Sequence, residues 1–475
     1  MVTAWLQETY DGKIALYRNG YPPERQNMSE KTTLTKKEQW AKLLAPVRHG
    51  MTDLSRVHFD RARSPFLQDY DRILFSNSFR TLARKTQVHP FSSNDHVHNR
   101  QMHSLEVSSA GRSLGIMVGF FLEERGELPE TISPENIGEI VQAACLAHDI
   151  GNPPFGHGGE SALQDWFKNN ETYLGTLKER QKADFRTFDG NAQGFRVVTA
   201  IENYKDNGGL RLTYPTLASL VKYPRSAWDA MGEASTKFNF YQSEKETFDH
   251  VFTTLGLKNG HYRRHPLSYL TEAADDICYR IIDMEDALEL NIISLQDIKD
   301  VLAPVYPKLQ INEKRLESMD SDRRRAGLIR AKLIAFMIEA IFTAFKNNYD
   351  ALLDGEPVKS LIDCAQDDVN DYMTRAKDHF FNVILKNHSK IALEIGSYTL
   401  YKRLLDTFIP AVHQLKTGKE ISYREQQAIT LMGVSAPKEE DDLYTAYIRV
   451  MDFITGMTDT KATFLSKQLL GTTEN

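Results

Sequence analysis

The sequence predicts a mostly α protein. Three observations carry that expectation: apolar residues recur at helical spacing along most of the chain, strand-like alternation is sparse, and turn-forming residues gather in one central stretch. In YDRILFSNSFRTLARK (70–85), Ile73, Leu74, Phe75, Phe79 and Leu82 fall at helical spacing. HSLEVSSAGRSLGIMVGFFLEE (103–124) continues as a long apolar-faced helix. SPENIGEIVQAACLAHD (133–149) opens with Ser133 as N-cap, Pro134 at the first helical position and Glu135 close behind. That helix should run into LAHDIGNPPFGHGGE (146–160) and be stopped by Gly151, Pro153 and Pro154, which restrict the backbone. From about 168 to 265, with NGG and KNG turn signals, short helices and a small hairpin fit. Long amphipathic helices return from about 267 and continue to GMTDTKATFLSKQLL near the end. The most apolar run, AKLIAFMIEAIFTAF (331–345), carries Glu339 and falls short of the ~20 residues of a membrane helix, so it reads as buried.

A chain of 475 residues can build two or three domains, or one large core with helical additions. Its net charge of −6 supplies no basic field, so nucleic acid or membrane binding would need a local patch. Cys145, Cys278 and Cys364 form no CxxC pair, which fits a reducing compartment and small core residues better than a disulfide framework. MVTAWLQETYDGK has no signal-peptide pattern, and the expected location is the cytoplasm, with no membrane partner. There is no G-x-x-x-x-G-K-[ST] phosphate loop.

The chemistry gathers in three separated clusters. Arg100 and His103 in RQMHSLEV lie one helical turn apart and share a face. His148 and Asp149 are adjacent. Asp275, Tyr279 and Asp283 in EAADDICYRIIDMEDA fall at i, i+4 and i+8, a register that selects Asp275 over its neighbour Asp276. Two imidazoles and two carboxylates make a ligand set for Mn²⁺, Mg²⁺ or Fe²⁺. Each piece alone has a plainer reading: a hydrogen-bonded structural histidine, a solvated acidic face, a surface arginine. Their conjunction outweighs those readings.

The order His103, His148-Asp149, Asp275 resembles the HD-domain metal-dependent phosphohydrolases. The wording around it resembles the bacterial deoxyguanosinetriphosphate triphosphohydrolases. KTQVHP (85–90), NRQMHSLEV (99–107), AHDIGNPPFGHGGE (147–160), FDGNAQGFR (188–196), LVKYPRSAW (220–228), EAADDICYRIIDMEDA (272–287) and ITGMTD (454–459) stand in that family's order. The resemblance implies an HD-domain helical core at 51–290 with an irregular or hairpin insert at about 168–265. An N-terminal extension at 1–50 and a helical C-terminal region at 291–475 flank it. It implies removal of intact triphosphate from a deoxynucleoside triphosphate, dGTP first, by attack at the α-phosphorus. The alternatives are another HD phosphohydrolase, such as a phosphodiesterase or nucleotidase, or a single-stranded DNA-binding or nucleotide-sensing protein.

Residue by residue, the resemblance makes His103, His148, Asp149 and Asp275 metal ligands and His157 the catalytic histidine, oriented by Glu160. The Gly and Pro residues between would fold His157 and Glu160 back over the phosphorus held beside the metal. Arg100 matches an α-phosphate contact, Lys222 and Tyr223 a triphosphate-binding pair, and Gln87, Tyr279 and Asp283 sugar contacts, with GNAQGFR (190–196) near the base pocket. Family members form homo-oligomers, commonly hexamers, and some bind single-stranded DNA or an effector dNTP. ITGMTD resembles a motif near the active site or a subunit contact. Arg323, Arg324 and Arg325 beside Asp320 and Asp322 read as a solvated helix start rather than a nucleic-acid site.

Overall fold

Apolar periodicity becomes helix along most of the described residues. The computed structural model describes residues 34–50, 62–88, 94–202, 209–231, 236–386 and 388–472. Most of the 1–50 extension, and His89 and Pro90 of KTQVHP, lie outside the described residues. The helices that build and support the site are α1 (Pro65–Leu74), α2 (Arg100–Glu124), α3 (Pro134–Ala147), α4 (His157–Asn169), α5 (Gly190–Arg196), α6 (Tyr214–Leu220), α7 (Ser268–Glu289), α8 (Asp322–Asn347), α9 (Asp367–His379), α10 (His388–Lys416), α11 (Leu443–Thr455) and α12 (Asp459–Gln468). Strands β1 (Lys258–Asn259) and β2 (His261–Tyr262) form the small hairpin expected of the KNG turn. They pair antiparallel, with Lys258 facing Tyr262, and Gly260 at φ 74° makes the reversal.

The decisive packing is between α2 and α3, which run antiparallel through a stripe of glycines. A Cβ on Gly115 would stand 2.8 Å from Gly138 Cα, one on Gly119 2.5 Å from Pro134 Cα, and one on Gly111 2.4 Å from Cys145 Sγ. Without side chains there, the two backbones approach closely over most of the length of α3. The first turn of α2 is thereby set beside the last turn of α3, which is where His103 and His148 stand.

Two local expectations are corrected. The segment 70–85 is not one helix: α1 begins at Pro65 behind the N-cap Ser64 and ends at Leu74. Ser76 then caps a new short helix by accepting from the Phe79 N–H, turning Phe75 out to solvent. Nor does α3 run through to Gly151. It ends at Ala147 because the Cys145 carbonyl is taken by the His148 ring, leaving His148 as C-cap.

Two apolar cores result. The larger joins α2, α3, α7, α8 and α9, and includes Ile150. The smaller joins α4 and residues of the 168–265 insert to α10, α11 and α12, and Phe155 packs against it. The turn between α3 and α4 therefore has one foot on each. Residues 331–345 lie within α8, with Leu333, Met337, Ile341 and Phe345 buried, as the sequence indicated. Among the described residues, α2 is long and apolar enough to cross a bilayer, but it carries the buried Arg100 and His103 and packs as a core helix.

The α2–α3 contact can be tested directly. Gly115→Ala should lower the free energy of unfolding by about 1–3 kcal/mol through overpacking. Gly327→Ala in α8, where an added methyl meets nothing within 4 Å, should instead raise it by about 0.5–1 kcal/mol. Urea midpoints read both.

Candidate active site

The site is assembled from the ends of helices. Asn99 caps α2 by accepting from the Met102 N–H, and the first turn points Arg100 and His103 inward. His103 Nε2 lies 3.1 Å from Asp275 Oδ1, on α7. His148 Nε2 lies 3.3 Å from the same oxygen and 3.6 Å from Asp149 Oδ1. The two rings stand edge to face with centroids 5.2 Å apart. His148 Nδ1 donates to the Cys145 carbonyl at 2.7 Å, so Nε2 is the ring nitrogen left to face the carboxylates. Arg100 Nη1 donates to Asp149 Oδ2 at 2.8 Å, Asn152 donates to the other Asp149 oxygen, and Lys222 Nζ donates to Asp275 Oδ2 at 2.6 Å.

The charges are mutually supporting. Burial would raise Asp275, but Lys222 and His148 outweigh it and hold the carboxyl well below its ordinary range. Asp149 is likewise lowered, against burial, by Arg100, His148 and His103. His148 is raised, since the two aspartates overcome its desolvation. Asp276 is different: burial and then the Asp275 charge push it up to about 7, and it lies in the cavity wall, away from the imidazoles.

Ligand atoms of His103, His148 and Asp149 come within 4.8 Å of one another. With Asp275 Oδ1 facing both imidazoles, the ligand set is two imidazole nitrogens and two carboxylates. That charge and ligand type suit one divalent cation of hard to borderline character.

The turn after Asp149 then reverses. Phe155 at φ 64° and Gly156 at φ 54° both lie in the left-handed region. Glycine is also required at 156 because a Cβ would meet Arg100 Nη2 at 2.4 Å. His157 opens α4 with its side chain 79% exposed, while Glu160 is buried. Their atoms Nδ1 and Oε2 are 2.8 Å apart. Glu160 Oε1 accepts from the Gly190 N–H at 2.8 Å, and Lys237 Nζ lies 3.4 Å from Oε2. Burial alone would raise Glu160; the His157 bond, Lys237 and Gly190 bring it down to about 2.

All the sequence-expected residues except His103 and Asp283 line one cavity of about 560 Å³. They are Gln87, Arg100, His148, Asp149, His157, Glu160, Lys222, Tyr223, Asp275 and Tyr279. Gln87 Oε1 is buried without a donor. His103 sits behind the wall and reaches it through Nε2. Asp283 is buried two turns along α7, with both oxygens unpartnered, and its carboxyl is pushed well up by desolvation.

GNAQGFR departs from expectation, since only Asn191 reaches the cavity. Arg196 pairs with Asp452 and Glu244, and Gln193 donates to Asp452, so most of the motif's polar chemistry fastens α5 to α11. The arginine run is also internally matched: Arg324 with Asp320, Arg325 with Asp322, and Arg323 near Glu289.

Several supporting residues were not identifiable from sequence. Asp459 accepts from the N–H groups of Phe155 and Thr86 at 3.0 and 2.9 Å. Lys85 donates to the carbonyls of Asn152 and Thr455, and burial drives it down to about 7. Tyr401 OH donates to the Pro154 carbonyl. ITGMTD was visible as a motif, but nothing in its spacing indicates that Asp459 holds a turn 304 residues earlier.

The helical frame with a buried His, His-Asp cluster defines an HD-domain phosphohydrolase, and residues 100–290 match the HD domain family. The chain is 42% identical over 440 residues to a deoxyguanosinetriphosphate triphosphohydrolase-like protein of Pseudomonas aeruginosa (strain LESB58), covering 91% of this chain and 98% of that one. A protein of the same description from Synechocystis sp. is 35% identical, covering 91% and 99%. The deoxyguanosinetriphosphate triphosphohydrolase of Yersinia pseudotuberculosis serotype O:3 (strain YPIII) is more distant, 28% identical over 83% of this chain and 91% of that one. The chain belongs to the deoxyguanosinetriphosphate triphosphohydrolase-like family.

Two measurements follow from this geometry. Asp459→Ala strands two amide donors and should cost about 1–3 kcal/mol for each left buried, read as a lower urea midpoint. Glu160, titrating at about 2 instead of its ordinary 4.5, contributes stability that is full above pH 4.5 and lost as pH falls toward 2. Glu160→Gln should therefore flatten the fall in unfolding free energy over that window, followed by urea titrations between pH 6 and 3.

Proposed function

We propose that the protein is a deoxynucleoside triphosphate triphosphohydrolase, taking dGTP first among the dNTPs to deoxynucleoside and intact triphosphate. The observation that carries this reading is that His157 and its Glu160 partner open onto the same cavity wall as His148, Asp149 and Asp275. A proton donor and a cation-binding face on one cavity are what cleavage of a phosphoester with a poor alkoxide leaving group needs.

His103, His148, Asp149 and Asp275 would hold a divalent ion, Mn²⁺ or Mg²⁺ first and Fe²⁺ as a further candidate. When bound, such an ion supplies Lewis-acid polarisation of phosphoryl oxygens and acidification of water. Arg100 and Lys222 bring positive charge to the same face, and Tyr223 adds a hydroxyl; a substrate with roughly four negative charges needs such cations. Water oxygen bonds to the α-phosphorus as the bond from phosphorus to the 5′ oxygen breaks, and the proton that the water gives up passes to solvent, from which His157 is later reprotonated. His157, its Nδ1 tied to Glu160, delivers the proton from Nε2 to that departing oxygen. Buried and ionised, Glu160 holds the ring in orientation through its bond to Nδ1. Gln87, Tyr279 and Asp283 are assigned to the deoxyribose, where the Tyr279 ring would exclude a 2′-hydroxyl.

Incubation with each of the four dNTPs and GTP under Mn²⁺ or Mg²⁺ tests the reading. Equal amounts of nucleoside and triphosphate are expected by chromatography. Monophosphate or inorganic phosphate as first product would favour a different HD phosphohydrolase. His157→Ala should lower kcat by about 10²–10⁴-fold with calorimetric metal binding intact. Asp275→Ala should lose the metal and Asp276→Ala should keep it; the reverse pair of results would overturn the ligand assignment.

A further inference from the structure

Among the described residues, every lysine and arginine of the catalytic cavity but one is in an ion pair with an acid; the exception, Arg280, bonds to none, although its charge acts on Asp283 and Asp276. Arg100 donates to Asp149 and Lys222 to Asp275. Lys237 lies 3.4 Å from Glu160 and Lys390 3.7 Å from Glu394. Arg280, next to Tyr279 on α7, lines the same cavity. Among the described residues no carboxylate or carbonyl accepts from its guanidinium, and its Nε is buried without a partner. The buried Nε–H is costly unless a ligand supplies an acceptor, and the Nη groups are left free to bond the same ligand.

Its position narrows what that ligand group is. An aromatic row leads away from the metal-binding face. His103 stands edge-on to Tyr279 at 6.3 Å, Tyr279 to Phe380 at 5.4 Å, and Phe380 to Phe381 at 5.7 Å. Arg280 lies on this row, its guanidinium carbon 5.2 Å from the Tyr279 ring centroid. Phe380 opens a π-helical turn, Phe380–Ile384, and both it and Phe381 line the cavity, with Phe381 49% exposed. The paired cations Arg100 and Lys222 belong to the metal-ligand pole, where phosphate charge is to be neutralised. The unpaired one stands along a row of rings, the kind of surface on which a nucleobase stacks.

We propose that Arg280 reads the base of the substrate, donating from its planar fork to O6 and N7 of a guanine stacked on the exposed ring of Phe381, with Phe380 closing the edge of the pocket. Guanine offers two adjacent acceptors that match the fork. Adenine places an amine donor beside N7, and a pyrimidine has no N7, so either leaves the guanidinium half-satisfied. The inference rests on the triphosphohydrolase reading and names its base selectivity.

The test compares kcat/KM for dGTP, dITP, 7-deaza-dGTP and dATP in the metal-loaded wild type, Arg280→Met and Arg280→Lys, with circular dichroism and metal titration as controls for folding. In the wild type, dITP, which keeps O6 and N7, should follow dGTP, and 7-deaza-dGTP should fall behind. Arg280→Met should cut the dGTP-to-dATP selectivity roughly 10- to 100-fold, the range of one bidentate pair. It should also no longer separate dGTP from 7-deaza-dGTP. Arg280→Lys, without the fork, should recover little of it. Loss shared equally by dGTP and dATP would place Arg280 on the phosphates and overturn the inference, as would unchanged selectivity. If the wild type turns over no dNTP, the hydrolase reading fails on its own. The same ratio is then read from calorimetric affinities of dGTP and dATP, where Arg280-dependent guanine preference sustains the inference and equal affinities sink it.

Discussion

The site depends on how closely two helices can lie. Gly111, Gly115 and Gly119 on α2 face Cys145, Gly138 and Pro134 on α3, and at each point a methyl group would collide with its neighbour. That approach leaves the His103 and His148 rings 5.2 Å apart. Two imidazoles and two aspartates then share a space that apolar packing would otherwise claim. The acids are kept ionised by Arg100 and Lys222, so the cluster is tolerated inside the protein as a balanced network. Packing sets the distances and charge pairing makes them affordable.

The second requirement is the reversal that brings His157 and Glu160 to the same cavity. Its strained residues, Phe155 and Gly156, are over-determined from outside. Asp459 takes the Phe155 amide, Tyr401 the Pro154 carbonyl, and Lys85 bridges Asn152 to Thr455. Left-handed backbone at a non-glycine residue persists only when its surroundings hold it there. Those surroundings are supplied by α10, α11 and α12.

Much of this was legible in the residues themselves. Helical spacing marked the long helices, and the i, i+4, i+8 register singled out Asp275, which faces both imidazoles where Asp276 does not. The pairing of His157 with Glu160 was an implication of the family resemblance and not of their spacing; the fold realises it across the first turn of α4. Arg196 and Gln193 were misplaced because their partners, Asp452 and Glu244, are remote in sequence, and no local pattern announces a buried ion pair. Asp459, Lys85 and Lys237 stayed hidden likewise, each acting through chain segments that only the fold brings near. The break at Ser76 illustrates a smaller failure, in which apolar spacing runs on across a residue whose hydroxyl starts a new helix.

The turn that straddles both cores also decides what can be moved elsewhere. A segment cut at the limits of the HD match would keep every proposed metal ligand and both members of the histidine–glutamate pair. It would leave behind Asp459, the acceptor for the Phe155 amide, and Tyr401, the donor to the Pro154 carbonyl. Such a fragment should be a poor module for transplantation into another scaffold: its donors would be present in the chain, but the strap that presents them would be free to relax.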